Sequence, residues 1–212
     1  MQDIAKFISG FKRFQRKYFS EDLELFQQLR LGQCPKVAII ACADSRVDPA
    51  LLTGAEPGDV FVVRNVANLV PPYAPDGGFS SVPAALEFAV LSLGIEHLIV
   101  LGHAQCGGIR ALMADEAKGE FLGKWVDIAR RARDQVLAEL PTKPASLQAR
   151  ACEQAAILLS LENLMTYPWI ASRVGAGSLH LHGWYFDITA GAMLHYQPDS
   201  QGFQPIDLDG EE

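Results

Sequence analysis

The chain has 212 residues, 49% of them hydrophobic and 20% charged, with a formal net charge of −7. That length suits one domain with a sizeable core and is short for two, and the modest charged fraction excludes a disordered or mostly solvating chain. The acidic balance argues against a nucleic-acid surface and phosphate-rich partners. Apolar runs such as Val37 to Ala43 are too short to span a bilayer, and Asp3 and Lys6 interrupt the place of a leader's apolar run, so the expectation is a soluble cytoplasmic protein. In that setting Cys34, Cys42, Cys106 and Cys152 read as reduced thiols rather than a disulfide framework.

Residues 1–31 read as an amphipathic helical arm, because Ile4, Phe7, Ile8, Phe11 and Phe14 recur at helical spacing among Lys6, Lys12, Arg13, Arg16 and Lys17. The apolar stripe suits packing on the arm's own domain or on a second subunit rather than a membrane surface. Next comes Lys36-Val-Ala-Ile-Ile-Ala-Cys42, a β-branched apolar run that reads as a strand buried on both faces, as in a parallel sheet. Asp59–Arg64 and His97–Gly102 have the same character. Between these two lie the loop Pro71–Gly78 and a helix capped by Ser81, with Pro83 in its first turn and Gly94 closing it. After Gly108 the chain reads as helical to about Thr166, with breaks at Gly119, Gly123 and Pro141–Pro144. Ser178–Asp187 and Ala192–Tyr196 read as strands, and the polar, acidic tail from Gln197 is expected to fray. Strand–helix alternation predicts an α/β fold, a mostly parallel β-sheet flanked by helices, with residues 1–212 as a single domain.

Two loops carry the candidate chemistry. The first buried strand ends in Cys42-Ala-Asp44-Ser-Arg46, and the third ends in His103-Ala-Gln-Cys106-Gly-Gly108. Ligand crevices of open α/β sheets lie outside the carboxyl ends of strands, so the loops converge if these strands are neighbours. One Cys plus an H-x2-C pair gives three donors suited to zinc, and three protein ligands leave a fourth position open, as catalytic sites do. Asp44 and Arg46 are spaced for a charge-assisted pair that would keep the carboxylate ionised. Gly107 and Gly108 let the backbone approach closely where a helix starts. Taken singly, each feature has a plainer explanation: a strand-end Cys is usually a small core residue, and an Asp–Arg pair is usually structural. Their combination in two loops of matching topology is what points to a site. Cys34 and Cys152 read as core thiols, while His97, His180, His182 and His195 lack a recognisable cluster and read as strand-edge or surface residues.

These motifs resemble the two zinc motifs of the β-class carbonic anhydrases, and the resemblance continues through 56–68, Gly94, Asn163–Pro168 and His182-Gly-Trp184. It implies Zn²⁺ held by Cys42, His103 and Cys106, a catalytic dyad of Asp44 and Arg46, and reversible hydration of carbon dioxide to bicarbonate. It further implies that Gln33 and the Gly107 N–H hold the substrate or product oxygens. Phe61, Val66 and Phe88 would line an apolar pocket at a homodimer interface, with higher homo-oligomers open. Ala43 and Ala104 replace the family's usual serines, and Phe88 replaces a tyrosine found in several relatives. Arg64 keeps one member of the bicarbonate pocket of the closed-site subclass, but Ile39 and Phe186 stand where that pocket has Trp and Tyr, so the resemblance favours the open-site subclass. Three other readings stay open: a zinc hydrolase of carbonyl sulfide or carbon disulfide, a metal-free Cys106 nucleophile with His103 as base, and a non-catalytic zinc-binding or regulatory module.

Overall fold

The computed structural model describes residues 2–21, 23–76, 78, 80–115 and 119–206. The first of two units, Met1–Cys34, opens with α1 (Gln2–Arg16), passes through a π-helical turn at Lys17–Glu21 and ends in α2 (Leu23–Leu29). Phe14 and Phe26 lie edge to face at 5.6 Å, and Tyr18 and Phe19 pack against both rings. Aromatic contacts of this kind hold the turn between the helices. Ile4, Phe7, Ile8 and Phe11, further along the apolar stripe of α1, remain exposed.

The second unit, Pro35–Glu212, is built on the apolar runs. Its elements are β1 (Val37–Cys42), α3 (Pro49–Thr53), β2 (Val60–Asn65), α4 (Ser81–Glu87), β3 (His97–His103), α5 (Gly107–Met113), α6 (Leu122–Val126), α7 (Arg130–Glu139), α8 (Ala145–Leu164), α9 (Pro168–Gly175), β4 (His180–Asp187), β5 (Ala192–Gln197) and β6 (Gly202–Pro205). Among the described residues the strands form one sheet in the order β2-β1-β3-β4-β5-β6, parallel across the first four and antiparallel at the last two pairings. Alternation sends Ala38 and Ile40 of β1 into a core with Leu86, Leu98, Val100 and Ile157, and Ile39 and Ala41 to the opposite face with Ile99 and Leu101. Both faces of β1 are therefore dry, as its unbroken apolar sequence predicts. Each fully buried Ile, Leu or Val among them stabilises the unit by roughly 1.5–3 kcal/mol.

Several local expectations are corrected. The cap of α4 is Ser80 rather than Ser81, and the helix runs on through a π-helical turn, Phe88–Leu93, to Gly94 at φ 68°. Helix α3 was not expected, although Asp48 accepts from the N–H groups of Ala50 and Leu51, Pro49 opens the helix and Gly54 closes it with φ 68°. Five residues are too few for an apolar period to register, so only the capping chemistry marks the helix. Helix α9, also unexpected, starts on Pro168. Gly123 lies inside α6 instead of breaking it. Part of the expected frayed tail is strand β6, whose Phe203 pairs opposite Tyr196 with ring centroids 5.6 Å apart; residues 207–212 lie outside the described residues.

The histidines are not scattered. Parallel pairing sets His97 opposite His180, and His97 Nδ1 lies 3.1 Å from His182 Nε2. Three rings thus meet because two strands start in register, a relation that linear spacing cannot reveal.

Helix α8 lies directly on the sheet over two glycines. A Cβ on Gly102 would stand 2.7 Å from Ile157 Cδ1, and one on Gly183 would stand 3.0 Å from Ile157 Cγ2. Gly102→Ala is expected to cost about 1–3 kcal/mol through overpacking, and Gly102→Ala/Ile157→Ala to cost less than the sum of its single changes. Denaturant unfolding of the four proteins in the cycle checks this; strict additivity would contradict it.

Candidate metal centre

Strands β1 and β3 are parallel neighbours, with Val37 level with His97 and Ala41 level with Leu101. Their carboxyl ends therefore stop together, at Cys42 and His103. This is where the strand order turns back, since β1 connects onward to β2 on one side while β3 lies on the other. Crevices form at such switch points. After His103 the backbone turns sharply, with Gln105 at φ 58°, and returns Cys106 to the strand end. The Sγ atoms of Cys42 and Cys106 are 4.0 Å apart, and the donor atoms of Cys42, His103 and Cys106 all lie within 4.8 Å of one another.

Glycine is required at 108. A Cβ there would sit 2.7 Å from Val66 Cγ1 and 3.0 Å from Ala67 Cβ, so α5 could not approach the segment after β2. That segment holds Ala67 and Asn68 at φ 65° and 48°, left-handed values that L side chains adopt at a cost. The strain places the Ala67 N–H 3.4 Å from Cys42 Sγ, where it donates to the sulfur.

The three donors fit a metal ion. His103 Nδ1–H donates to the Ala104 carbonyl at 2.8 Å, a bond that assigns the tautomer and leaves Nε2 as the acceptor. Nε2 is buried and has no hydrogen-bond partner. A buried, unsatisfied imidazole nitrogen costs stability in a protein without a ligand for it, whereas a backbone-anchored imidazole is the usual form of a metal ligand. Two sulfurs beside one imidazole nitrogen form the donor set of a borderline divalent ion. Without an ion the thiols share their protons unequally. Donation from Cys106 lowers the Cys42 thiol, with the Asp44 and Ala67 amides helping against burial. The same pairing and burial push Cys106 upward.

Asp44 stands beside this set, 3.9 Å from His103 Nε2. Arg46 grips it in a fork: Nε donates to Oδ1 at 2.9 Å, Nη2 to Oδ2 at 2.7 Å, and the Arg46 backbone N–H to Oδ1 at 3.0 Å. The guanidinium holds the carboxyl well below the usual carboxylate range, against a smaller opposing effect of burial. Arg46 Nη2 also reaches the Gln105 carbonyl at 3.2 Å, which joins the two loops. Arg64 fastens the Cys42 loop from below. It donates to the carbonyls of Cys42, Asp44 and Val47 at 3.1, 2.7 and 2.8 Å and to the Asp48 carboxylate at 3.1 Å.

Sequence reasoning did not find Glu153. On α8, only 6% exposed, it accepts from the Cys106 N–H at 3.0 Å through Oε1 and from the Tyr185 hydroxyl at 2.8 Å through Oε2. Burial raises its pKa despite these donors. The signal was a carboxylate on an apolar helical face, four residues before the buried Ile157. Tyr185 carries Arg150 over its ring, and Arg150 in turn binds Asp187 at 2.6 Å. Burial pushes the neighbouring Cys152 thiol to about 12, which suits an inert core residue, whereas Cys34, also expected in the core, is exposed.

The remaining expected site residues are dispersed. Val66 stands against Gly108, and the Trp125 indole N–H donates to its carbonyl at 2.7 Å. Gly107 opens α5. Phe61 and Phe88 pack on each other at 5.9 Å, but Phe61 is level with Ala38, four residues down the strand from the Cys42–Asn65 pair. Gln33 lies in the first unit.

The family model described as carbonic anhydrase matches residues 37–193. The chain is 39% identical over 196 residues to a carbonic anhydrase of Synechocystis, covering 91% of this chain and 71% of that protein. The chain belongs to the β-carbonic anhydrase family. It is 44% identical over 180 residues to chloroplastic β carbonic anhydrase 5 of Arabidopsis thaliana, covering 84% of this chain and 59% of that protein. The chain thus spans less than two thirds of that relative's length. Among solved structures, the β-carbonic anhydrase CcaA superposes with a TM-score of 0.91 at 34% identity, covering 99% of this chain and 94% of the other. A structure reported for tetrameric β-carbonic anhydrases of Sordaria macrospora gives 0.83 at 28% identity, covering 92% and 97%. No helix among the described residues is long and apolar enough to cross a membrane, and relatives carry both chloroplastic and mitochondrial names.

Glu153→Ala would strand two buried donors, the Cys106 amide and the Tyr185 hydroxyl. Its expected cost is about 1–3 kcal/mol for each donor left unsatisfied. Chemical denaturation measures the loss, and Glu153→Gln, which retains an acceptor, should recover part of it. Equal losses in both variants would show that hydrogen bonding to the carboxylate is not what matters.

Proposed function

We propose that the chain catalyses the reversible hydration of carbon dioxide to bicarbonate and a proton, with Zn²⁺ held by Cys42, His103 and Cys106. The observation that carries this reading is the convergence of two thiols and an unpaired buried imidazole nitrogen beside an arginine-clamped carboxylate. When bound, zinc supplies the Lewis acidity that makes water a usable nucleophile near neutral pH. The Asp44 carboxylate stays ionised in the grip of Arg46, so it accepts a hydrogen bond from the attacking water and directs its lone pair toward the carbon. Because three donors from Arg46 fix Asp44, the carboxylate is positioned rather than free to turn into the metal's place. That restraint supports the open-site subclass. So does the apolar character of Ile39 and Phe186, both on one apolar face of the sheet, where the closed subclass would place Trp and Tyr. Arg64 supports it too, through the four acceptors it already serves.

The apolar lining belongs in this reading to a dimer. Phe61 is four residues, about 13 Å of extended strand, from the rung that carries Cys42. A role at a metal centre is therefore best served toward a neighbouring subunit's site. Val66, beside Gly108, lines its own chain's site. Gln33 and the Gly107 N–H are assigned to the substrate or product oxygens, and residues 1–212 act as one functional domain. The exposed Ile4, Phe7, Ile8 and Phe11 form the surface that a second copy would cover.

Stopped-flow hydration of carbon dioxide by the zinc-loaded protein, run beside carbonyl sulfide and carbon disulfide, tests the reaction. Hydration of carbon dioxide is expected to dominate; turnover of only the sulfur compounds would replace this reading with the related hydrolase. Cys106→Ser should lose most of its zinc along with the activity, and full zinc retention in an inactive variant would undo the ligand assignment. Phe7→Asp/Phe11→Asp should shift the sedimentation profile toward monomer and lower activity. A fully active monomer would contradict the shared pocket.

A further inference from the structure

At the opposite end of β3 from the catalytic candidates, six residues and about 20 Å of strand from His103, lies a second set of nitrogen donors. His97 and His180 are paired across β3 and β4, with ring centroids 5.3 Å apart and planes 28° from parallel. His182, two residues on along the same face of β4, directs Nε2 to within 3.1 Å of His97 Nδ1. His195 faces the same side from β5, level with Trp184, and engages Gln197 at 3.0 Å. His97 and His182 are half-buried and His180 is exposed, so the group is fixed by the sheet yet open to solvent.

We propose that His97 Nδ1 and His182 Nε2 form a second, exchangeable site for a borderline divalent transition ion such as Ni²⁺ or Zn²⁺. The distance between the nitrogens matches such an ion. Two imidazoles bound at about 2.0–2.1 Å, at angles between square and tetrahedral, hold their nitrogens about 2.9–3.4 Å apart. An ion would replace the hydrogen bond that the two nitrogens now share. Both rings are paired off in the sheet, which lowers the entropy lost on binding. Burial, followed by the charges of His97, His180 and His195, lowers the pKa of His182, so a neutral, ligating ring is favoured. Glu96, next to His97 in sequence, is bound to Lys36 at 2.5 Å, and the described residues place no carboxylate with these rings in a common ligand set. Nitrogen donors without carboxylates favour transition ions over Mg²⁺ or Ca²⁺. The stacked His180 ring does not converge on the same point, so solvent completes the coordination and the ion exchanges readily.

The test uses the full chain loaded with zinc and Ni²⁺ alone as titrant, followed by calorimetry, with zinc content measured before and after. The wild type should take up one Ni²⁺ per chain without releasing its zinc. His97→Gln/His182→Gln should bind at least tenfold more weakly, and His195→Gln should bind as the wild type does. Hydration activity should be unchanged in all of them at zero Ni²⁺. A measurement on the wild type alone guards against a misfolded variant: with Zn²⁺ in excess, the ring nitrogens of His97 and His182 should shift in nitrogen-15 spectra while those of His195 stay. Absence of Ni²⁺ uptake by the wild type would overturn the proposal, leaving a plain imidazole–imidazole hydrogen bond. Equal uptake by the double variant, release of zinc on uptake, or unmoved His97 and His182 resonances would do the same.

Discussion

The parallel pairing of β1 with β3 is the constraint from which the site follows. A parallel ladder runs both strands out at the same edge, so residues that close two separate sequence segments finish side by side. The pairing is enforced by aliphatic side chains on both faces, which water cannot share. Slipping the register by one residue would turn every buried side chain toward the wrong face, and Cys42 with it. Precision at the candidate metal centre is thus inherited from the hydrophobic core and does not have to be supplied by the loops alone.

The loops add a second layer of restraint, and it is polar. Arg46 and Arg64 together occupy the carboxylate of Asp44 and the carbonyls of Cys42, Asp44, Val47 and Gln105. Behind Cys106, Glu153 and Tyr185 satisfy each other and the ligand's amide in a region closed to water. Buried networks of this type are costly when incomplete and rigid when complete. The three candidate ligands consequently rest between a clamped surface loop and a saturated interior carboxylate, with Nε2 of His103 left without a hydrogen-bond partner.

Much of this was legible in the residues. Val37–Cys42 and His97–Gly102 announce buried strands by unbroken β-branched character, and the chemistry at their ends announces a site. Asp44 and Arg46 are close enough in sequence that their pairing is nearly local. What was not legible depends on contacts between distant segments. Glu153 is separated from Cys106 by 47 residues, and nothing in α8 states which amide it will meet. The histidines needed the β3–β4 register before they could be read as a group. Helix α3 was written in its caps, Asp48-Pro49 and Gly54, but it is too short for periodicity to detect. Strand β6 has a partner only because β5 precedes it, so its polar sequence alone suggested fraying.

The bare backbone at Gly102 and Gly183 sets how closely α8 can lie on the sheet. Glu153 and Ile157 are one helical turn apart and face the same way, so the height of one fixes the height of the other. If Ile157 were lifted by a larger neighbour beneath it, the carboxylate that holds the Cys106 amide would rise too. Three small or apolar positions without any chemistry of their own are thereby tied to the placement of Cys106. Residues 102, 157 and 183 are therefore coupled: a larger side chain at one requires a smaller one at another if the helix height, and with it the Glu153–Cys106 hydrogen bond, is to be kept.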